Sequence, residues 1–161
     1  MESTDTAPLQ PDEWLIGANG VWMGTPAKGW RRLGNYTYTV NDLAVETSPG
    51  DDDPSVVVAT GCGLWRAWGD PTRRWEQLHD ETLTEVMAVR LTDDGLLTAS
   101  SYGIAKSTAD DLGMPRWHSG TQDRAPDERY TNTLLIAADG PWLAGTEAGV
   151  LLSEDCGSHW R

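Results

Sequence analysis

Short apolar segments alternate with polar turns along most of this chain. In four places an apolar run leads into a tight turn that ends in a glycine followed by an aliphatic residue: Gly20-Val21, Gly63-Leu64, Gly103-Ile104 and Gly149-Val150. The pairs are spaced 43, 40 and 46 residues apart. No window of a dozen residues keeps apolar positions at helical spacing, so the pattern predicts β-strands.

A tryptophan follows each glycine and stays in phase with it. The four tryptophans, spaced 45, 42 and 43 residues apart, are Trp30, Trp75, Trp117 and Trp160. Two independent landmarks that recur together four times indicate an internal repeat. A repeat of about 43 residues has room for four short antiparallel strands, which is the content of one β-propeller blade.

The sequence therefore predicts an all-β protein, a β-propeller of about four four-stranded antiparallel blades. Residues 1–12 form a polar N-terminal segment and 13–161 the repeat domain, with blades at about 13–34, 37–79, 82–119 and 129–161. The glycine of each repeat is expected to supply the positive φ of a short hairpin.

The first repeat begins at its second strand, and the last stops at the start of its fourth. Three arrangements are therefore open: half of a larger ring completed by a second copy, a truncated piece of a longer propeller, or a compact four-bladed ring. An uncovered blade face is costly, so we favour a missing partner or missing sequence. In a single copy Trp14, Trp22 and Trp160 would then be exposed.

The charge of the chain limits its partners. There are 25 Asp and Glu against 12 Lys and Arg, a formal net charge of −13, and only two of the basic residues are lysine. Such a surface repels phosphate backbones and anionic headgroups, so we expect neither a nucleic-acid nor a membrane partner. The acid-rich, lysine-poor composition resembles that of halophilic archaeal proteins, whose surface carboxylates hold water at high salt.

Other features favour a cytoplasmic protein. No apolar run reaches the ~18 residues of a transmembrane helix, and the N-terminus lacks the charged and apolar regions of a secretory signal. Two cysteines, Cys62 and Cys156, are too few for a disulfide framework.

The last repeat carries the most specific motif, residues 153–160, Ser-Glu-Asp-Cys-Gly-Ser-His-Trp. It resembles the Asp-box, or BNR repeat, Ser-x-Asp-x-Gly-x-x-Trp, at all four defining positions. The third repeat keeps parts of the motif, such as Ser107 and Trp117. The chain thus resembles the Asp-box β-propeller family, which includes repeats in sialidases, sortilin-type receptors and a photosystem assembly factor.

The resemblance implies structural roles for Ser153, Asp155, Gly157 and Trp160. In that family the box is a hairpin on the face away from the ligand site. The resemblance implies that Asp155 caps backbone N–H groups of the turn, that Gly157 is left-handed, and that Trp160 packs between blades. His159 is interpreted as a solvated strand residue, and no catalytic residue is assigned.

Candidate binding residues come from the mouth of the expected channel. The first residues of the inner strands and the hairpins between second and third strands point there, which selects Asn41, Asp42, Thr84, Glu85, Asn132, Thr133 and Tyr102. Polar and acidic groups at these places suit a peptide, a cation or a basic partner. Alternatively, these positions are polar only because they are exposed to solvent. No metal-ligand spacing or phosphate-binding glycine loop is present, so no metal or cofactor is expected.

These features favour a non-catalytic scaffold that binds a ligand, another protein or a second copy of itself as a homodimer. One alternative is a glycan-processing, sialidase-like hydrolase, which needs an arginine cluster, a Tyr nucleophile with a Glu partner, and an acid/base Asp. Glu85 and Tyr130 would be that pair, but the family's Arg-Ile-Pro motif is absent. Another alternative is a truncated remnant of a longer propeller. We expect no enzyme activity.

Overall fold

The fold is dominated by β-strands. The computed structural model describes residues 13–46, 55–69, 74–109 and 114–161. Among these residues the only helix is one short turn, α1 (Pro126–Arg129). The all-β prediction is confirmed, whereas the predicted polar segment 1–12 lies outside the described residues.

The strands form four separate antiparallel sheets, each a meander of consecutive strands. Sheet 1 consists of β1 (Trp14–Ala18), β2 (Gly20–Thr25) and β3 (Gly29–Leu33). Sheet 2 consists of β4 (Val40–Glu46), β5 (Ser55–Thr60), β6 (Gly63–Trp68) and β7 (Glu76–Gln77). Sheet 3 consists of β8 (Val86–Thr92), β9 (Gly95–Ser100), β10 (Gly103–Ala109) and β11 (Pro115–Ser119). Sheet 4 consists of β12 (Thr131–Leu135), β13 (Trp142–Thr146) and β14 (Gly149–Ser153).

The sheets pack against one another in chain order. β1 lies against β4, β4 against β8, and β8 against β12. Three apolar clusters fill the spaces between consecutive sheets. Within the described residues, no packing of comparable extent joins sheet 1 to sheet 4.

Each sheet has two faces, which we call forward (toward the next sheet along the chain) and backward (toward the preceding sheet). Side chains alternate between the two faces along a strand. The residue directly after each hairpin glycine lies on the forward face. Val21, Leu64 and Ile104 are such residues, and each is buried in the cluster it shares with the following sheet.

The repeated tryptophans point backward. Trp75 is buried between sheets 1 and 2, and Trp160 between sheets 3 and 4. The expectation that Trp160 is exposed in a single copy is therefore wrong, because its ring packs on sheet 3. Trp14 is exposed and Trp22 is half-buried, since both lie on sheet 1 and point away from sheet 2.

The hairpin glycines adopt the predicted backbone conformation. Their φ angles run from 91° at Gly20 to 139° at Gly149, which confirms that prediction. In sheets 2, 3 and 4 the side-chain hydroxyl three residues before the hairpin glycine donates to the carbonyl of that glycine. The donors are Thr60, Ser100 and Thr146, over 2.8, 3.0 and 3.1 Å. The same local bond therefore closes the hairpins of sheets 2, 3 and 4.

A register shift interrupts the first strand of three sheets at the same place. It falls between Val40 and Asp42 in β4, between Val86 and Ala88 in β8, and between Thr131 and Thr133 in β12. One residue of each first strand is left without a paired partner there, as in a β-bulge. The bulge is a repeated feature that the hydrophobic pattern did not predict.

The bulge corrects the alignment of the candidate binding residues. Thr84 and Glu85 were expected to be equivalent to the pair Asn41-Asp42, but both precede β8, which begins at Val86. A turn takes up the preceding residues, since the Leu83 N–H donates to the Asp80 carbonyl over 3.2 Å.

Candidate functional site

The Asp-box-like motif forms a tight turn after β14. The Ser153 hydroxyl donates to Asp155 Oδ1 and accepts the Gly157 N–H, both over 2.9 Å. Asp155 Oδ1 also accepts the His159 N–H over 2.9 Å. Gly157 is left-handed, with a φ of 82°. The polar side chains at positions 153 and 155 are therefore occupied in shaping the turn.

Asp155 has a side-chain partner as well. His159 Nδ1 lies 2.6 Å from Asp155 Oδ2. The backbone N–H of His159, its imidazole and the Ser153 hydroxyl together hold the pKa of Asp155 well below its ordinary value. The side chain of His159 is exposed, but it pairs with Asp155 in a turn rather than lying in a strand. A carboxylate held ionised in this way does not act as a general acid near neutral pH.

Trp160 connects the turn to sheet 3. Its indole N–H donates to the Gly157 carbonyl over 3.1 Å, and its ring packs with Leu97 and Leu134. The Arg124 side chain donates to the Trp160 carbonyl. These contacts place Trp160 between sheets 3 and 4.

Asn41 and Asp42 form bridges between sheets. Asn41 Nδ2 donates to the Val86 carbonyl over 2.8 Å. Asp42 Oδ2 accepts the Val89 N–H over 3.0 Å and pairs with Arg90. Both residues line a depression of about 230 Å³, but Asn41 Nδ2 and Asp42 Oδ2 already bind sheet 3.

The remaining candidate pairs are exposed and are not brought together in one cavity. Thr84 and Glu85 lie before β8, where the Glu85 carbonyl accepts the Ser101 N–H over 3.1 Å. Asn132 and Thr133 lie at the bulge of β12. None of these four residues lines the cavity at the β9–β10 hairpin.

That cavity is an open cleft of about 400 Å³, and Tyr102 is the one candidate that lines it. The loop from sheet 2 and the loop to sheet 4 both meet the hairpin there. Leu83, Ala105 and Trp117 supply apolar lining. Trp117 is fixed in place because its indole N–H donates to the Leu78 carbonyl over 2.8 Å.

The hairpin is positioned by a close approach at Gly103. This residue has a φ of 125°, and a Cβ added to it would lie 2.2 Å from Thr121 Oγ1. The same hydroxyl accepts the Ile104 N–H over 3.0 Å. Tyr102, directly before Gly103, is left exposed at the tip of the hairpin, beside the cleft.

Arg129 supplies the positive charge of the cleft. It is the last residue of α1, and its backbone N–H donates to the Ala125 carbonyl over 3.0 Å. Its Nε atom is buried and has no hydrogen-bond partner in the described part of the chain. Burying a donor without a partner is costly, so this atom calls for an acceptor that the described residues do not provide.

Sequence reasoning missed most of this cleft. Arg129 follows Asp127 and Glu128 and so resembles part of a solvated charged loop. Leu83 and Trp117 resemble ordinary core residues. No spacing rule connects these positions, because the loops that bring them together have no regular period.

Neither metal chemistry nor sequence comparison assigns a function to the cleft. Across residues 13–46, 55–69, 74–109 and 114–161, no three His, Cys, Asp or Glu side chains are grouped to hold a metal ion. No helix in the described part of the chain is long and apolar enough to cross a bilayer. Neither a protein-family model nor a curated protein matches the chain.

Proposed function

We propose that the four sheets are consecutive blades of an Asp-box β-propeller and that the protein is a non-catalytic interaction scaffold. The meander order of the strands, the succession of first strands from sheet to sheet, and the Ser153–Asp155 turn support the propeller arrangement. The cleft beside Tyr102 is the observation that carries the function.

The lining of the cleft defines the class of ligand. Arg129 lines the cleft beside an apolar surface that contains Leu83 and Trp117, and its buried Nε has no acceptor among the described residues. A carboxylate or carbonyl oxygen attached to an apolar or aromatic group satisfies both features. A segment of a protein partner that ends in, or carries, such a group is the natural occupant.

The same lining argues against a sialidase-like hydrolase. It contains one arginine, Arg129, and one carboxylate, Glu81, whereas that chemistry needs several arginines and a Tyr–Glu pair. In the described part of the chain, no hydrogen bond joins Tyr102 to Glu81 or Tyr130 to Glu85. The cleft is therefore equipped to bind rather than to transfer a glycosyl group.

The test is a titration with 3-phenylpropionate, followed by amide and arginine side-chain NMR. We expect shifts at Tyr102, Gly103 and Arg129, and affinity weakened about tenfold or more in Arg129→Gln, as expected for loss of a charged hydrogen bond. Arg116→Gln, a change at an exposed arginine outside the cleft, should bind like the parent protein.

Two further ligands separate the parts of the site. 3-Phenylpropanol keeps the apolar group without the charge, and acetate keeps the charge without the apolar group, so both should bind more weakly. Shifts that are the same in Arg129→Gln would contradict the binding site. Turnover of aryl glycosides or sialosides that Glu85→Ala abolishes would contradict the non-catalytic role.

A further inference from the structure

Two sheet faces have no neighbour among the described residues. On the backward face of sheet 1, Trp14, Ile16 and Trp30 are 60%, 42% and 39% exposed. On the forward face of sheet 4, Val150 and Leu135 are 71% and 58% exposed. Large exposed apolar patches of this kind mark interaction surfaces.

The forward face of sheet 4 belongs to a type that is buried elsewhere in the chain. Val150 directly follows a hairpin glycine, as do Val21, Leu64 and Ile104, which are all fully buried against the next sheet. Val150 therefore occupies a position that is packed wherever a following sheet exists.

The backward face of sheet 1 follows the same rule. Ile16 pairs with the second residue after its hairpin glycine, as do Val58 in sheet 2 and Ala144 in sheet 4. Val58 and Ala144 are both buried against the preceding sheet. The two exposed faces are thus the two halves of an interface that the chain already makes three times.

We propose that a second copy of this chain covers both faces. The forward face of sheet 4 packs on the backward face of sheet 1 of the second copy, and the reverse contact closes a symmetric pair. The choice of which two faces pair rests only on their equivalence to the forward and backward faces that are buried between consecutive sheets. The number of copies rests on the proposed propeller, since two copies give eight sheets, the upper end of the usual four to eight blades.

Charge makes this assembly depend on salt. Each copy carries a formal net charge of −13, so two copies repel each other at long range. The screening length falls from about 10 Å at 0.1 M salt to about 3 Å at 1 M. High salt therefore strengthens a pair held by apolar contacts. A pair held by contacts between opposite charges would instead be weakened by salt.

The experiment is sedimentation velocity of the full chain from 1 to 100 µM, in low and high salt. We expect twice the 17.6 kDa of one chain, with tighter association at high salt. Val150→Asp on one face and Trp14→Asp on the other should each weaken the pair by more than ~10-fold, as for central interface residues. Leu91→Asp, at an exposed apolar position of sheet 3, is the matched control and should leave the pair unchanged.

Mixing the two variants tests the pairing of unlike faces. Either variant alone carries a charge in both interfaces of its pair. A mixed pair contains one interface with neither charge and one with both charges, so it keeps one undisturbed contact that neither variant has when it pairs with itself, and association of the two variants through that contact should be detectable. If the pair instead formed through two copies of sheet 1, Val150→Asp would lie outside the interface. That variant would then pair with itself as well as the parent protein does.

A monomer at every concentration and in both salts overturns the proposal, and so does an open-ended polymer. A pair that Val150→Asp leaves intact, or that Leu91→Asp weakens as much, also overturns it. Both substituted sites are largely exposed in one copy, so loss of folding does not explain a negative result; near-native circular dichroism of each variant checks this. Binding of 3-phenylpropionate by a monomer would leave the proposed function standing.

Discussion

The interior of the sheet series and its two ends present the same sequence pattern with opposite consequences. Val21 and Val150 both follow a hairpin glycine and both point forward, yet Val21 is fully buried and Val150 is 71% exposed. Trp160 and Trp30 both point backward, and of the two only Trp160 packs on a preceding sheet among the residues that the structure describes. The comparison shows that the repeat prescribes which side chain is apolar, while the presence of a neighbouring sheet decides whether that side chain contributes to stability.

The largest expected effect separates the two tryptophans. Trp160→Ala removes a ring packed between sheets 3 and 4, and should lower the free energy of unfolding by about 3–5 kcal/mol. Trp30→Ala should cost less than half as much, about 1–2 kcal/mol, because part of the ring is already in water. Urea denaturation at low protein concentration measures both. Equal losses would break the comparison.

The two valines give a smaller but better matched contrast. Val21→Ala should cost about 2 kcal/mol, since two methyl groups leave a closed space between sheets 1 and 2. Val150→Ala should change the free energy of unfolding of the monomer by no more than about 0.5 kcal/mol. Thermal or urea unfolding at 1 µM in low salt is the measurement. A cost at Val150 comparable with that at Val21 would mean that its face is covered in a single chain.

The smallest effect tests whether sheet 4, which packs against one sheet among the described residues, is stabilised by its own turn. The pKa of Asp155 is depressed by its hydrogen bonds to His159 and Ser153. A carboxyl whose pKa is lower in the folded state contributes stability above its ordinary value of 3.8, and this contribution is lost as the pH falls toward the lower folded value.

Asp155→Asn should therefore be less stable than the parent protein at pH 6, and the difference should shrink as the pH falls below about 4. The exposed Asp139, which has no hydrogen bond or ion pair among the described residues, provides the control: Asp139→Asn should leave the pH dependence unchanged. Denaturation series between pH 6 and pH 2 supply the data. A difference between Asp155→Asn and the parent protein that stays constant with pH would show that the carboxylate does not stabilise the turn.

Much of the fold could be predicted because it follows from local and periodic features. The hairpin glycines need positive φ, and alternation along a strand places Val21, Leu64 and Ile104 on the same face of their sheets. Both features occur once in every repeat, so this single sequence displays them four times. The hydroxyls of Thr60, Ser100 and Thr146 had the same regular placement before the glycine and could have been found in the same way.

The site could not be predicted because its parts are not periodic. A turn closed by the Leu83 N–H and the Asp80 carbonyl delays the start of β8 to Val86, so Glu85 precedes its strand, whereas Asn41 and Asp42 lie within β4. Asp42 hydrogen-bonds to the backbone of Val89, 47 residues later, and so a candidate ligand residue became a bridge between sheets. Arg129 reaches the cleft only through the path of a loop, which no spacing rule describes.

The chain-order packing of the sheets makes the molecule nearly one-dimensional in its energetics. Its stability then approximates a sum of four intrinsic terms and three nearest-neighbour coupling terms, as in linear repeat proteins. Within the described part of the chain the end sheets each have one coupling partner, so local opening begins there and amide exchange should be fastest there. A second copy adds the missing coupling at both ends at once, so association would raise cooperativity as well as mass.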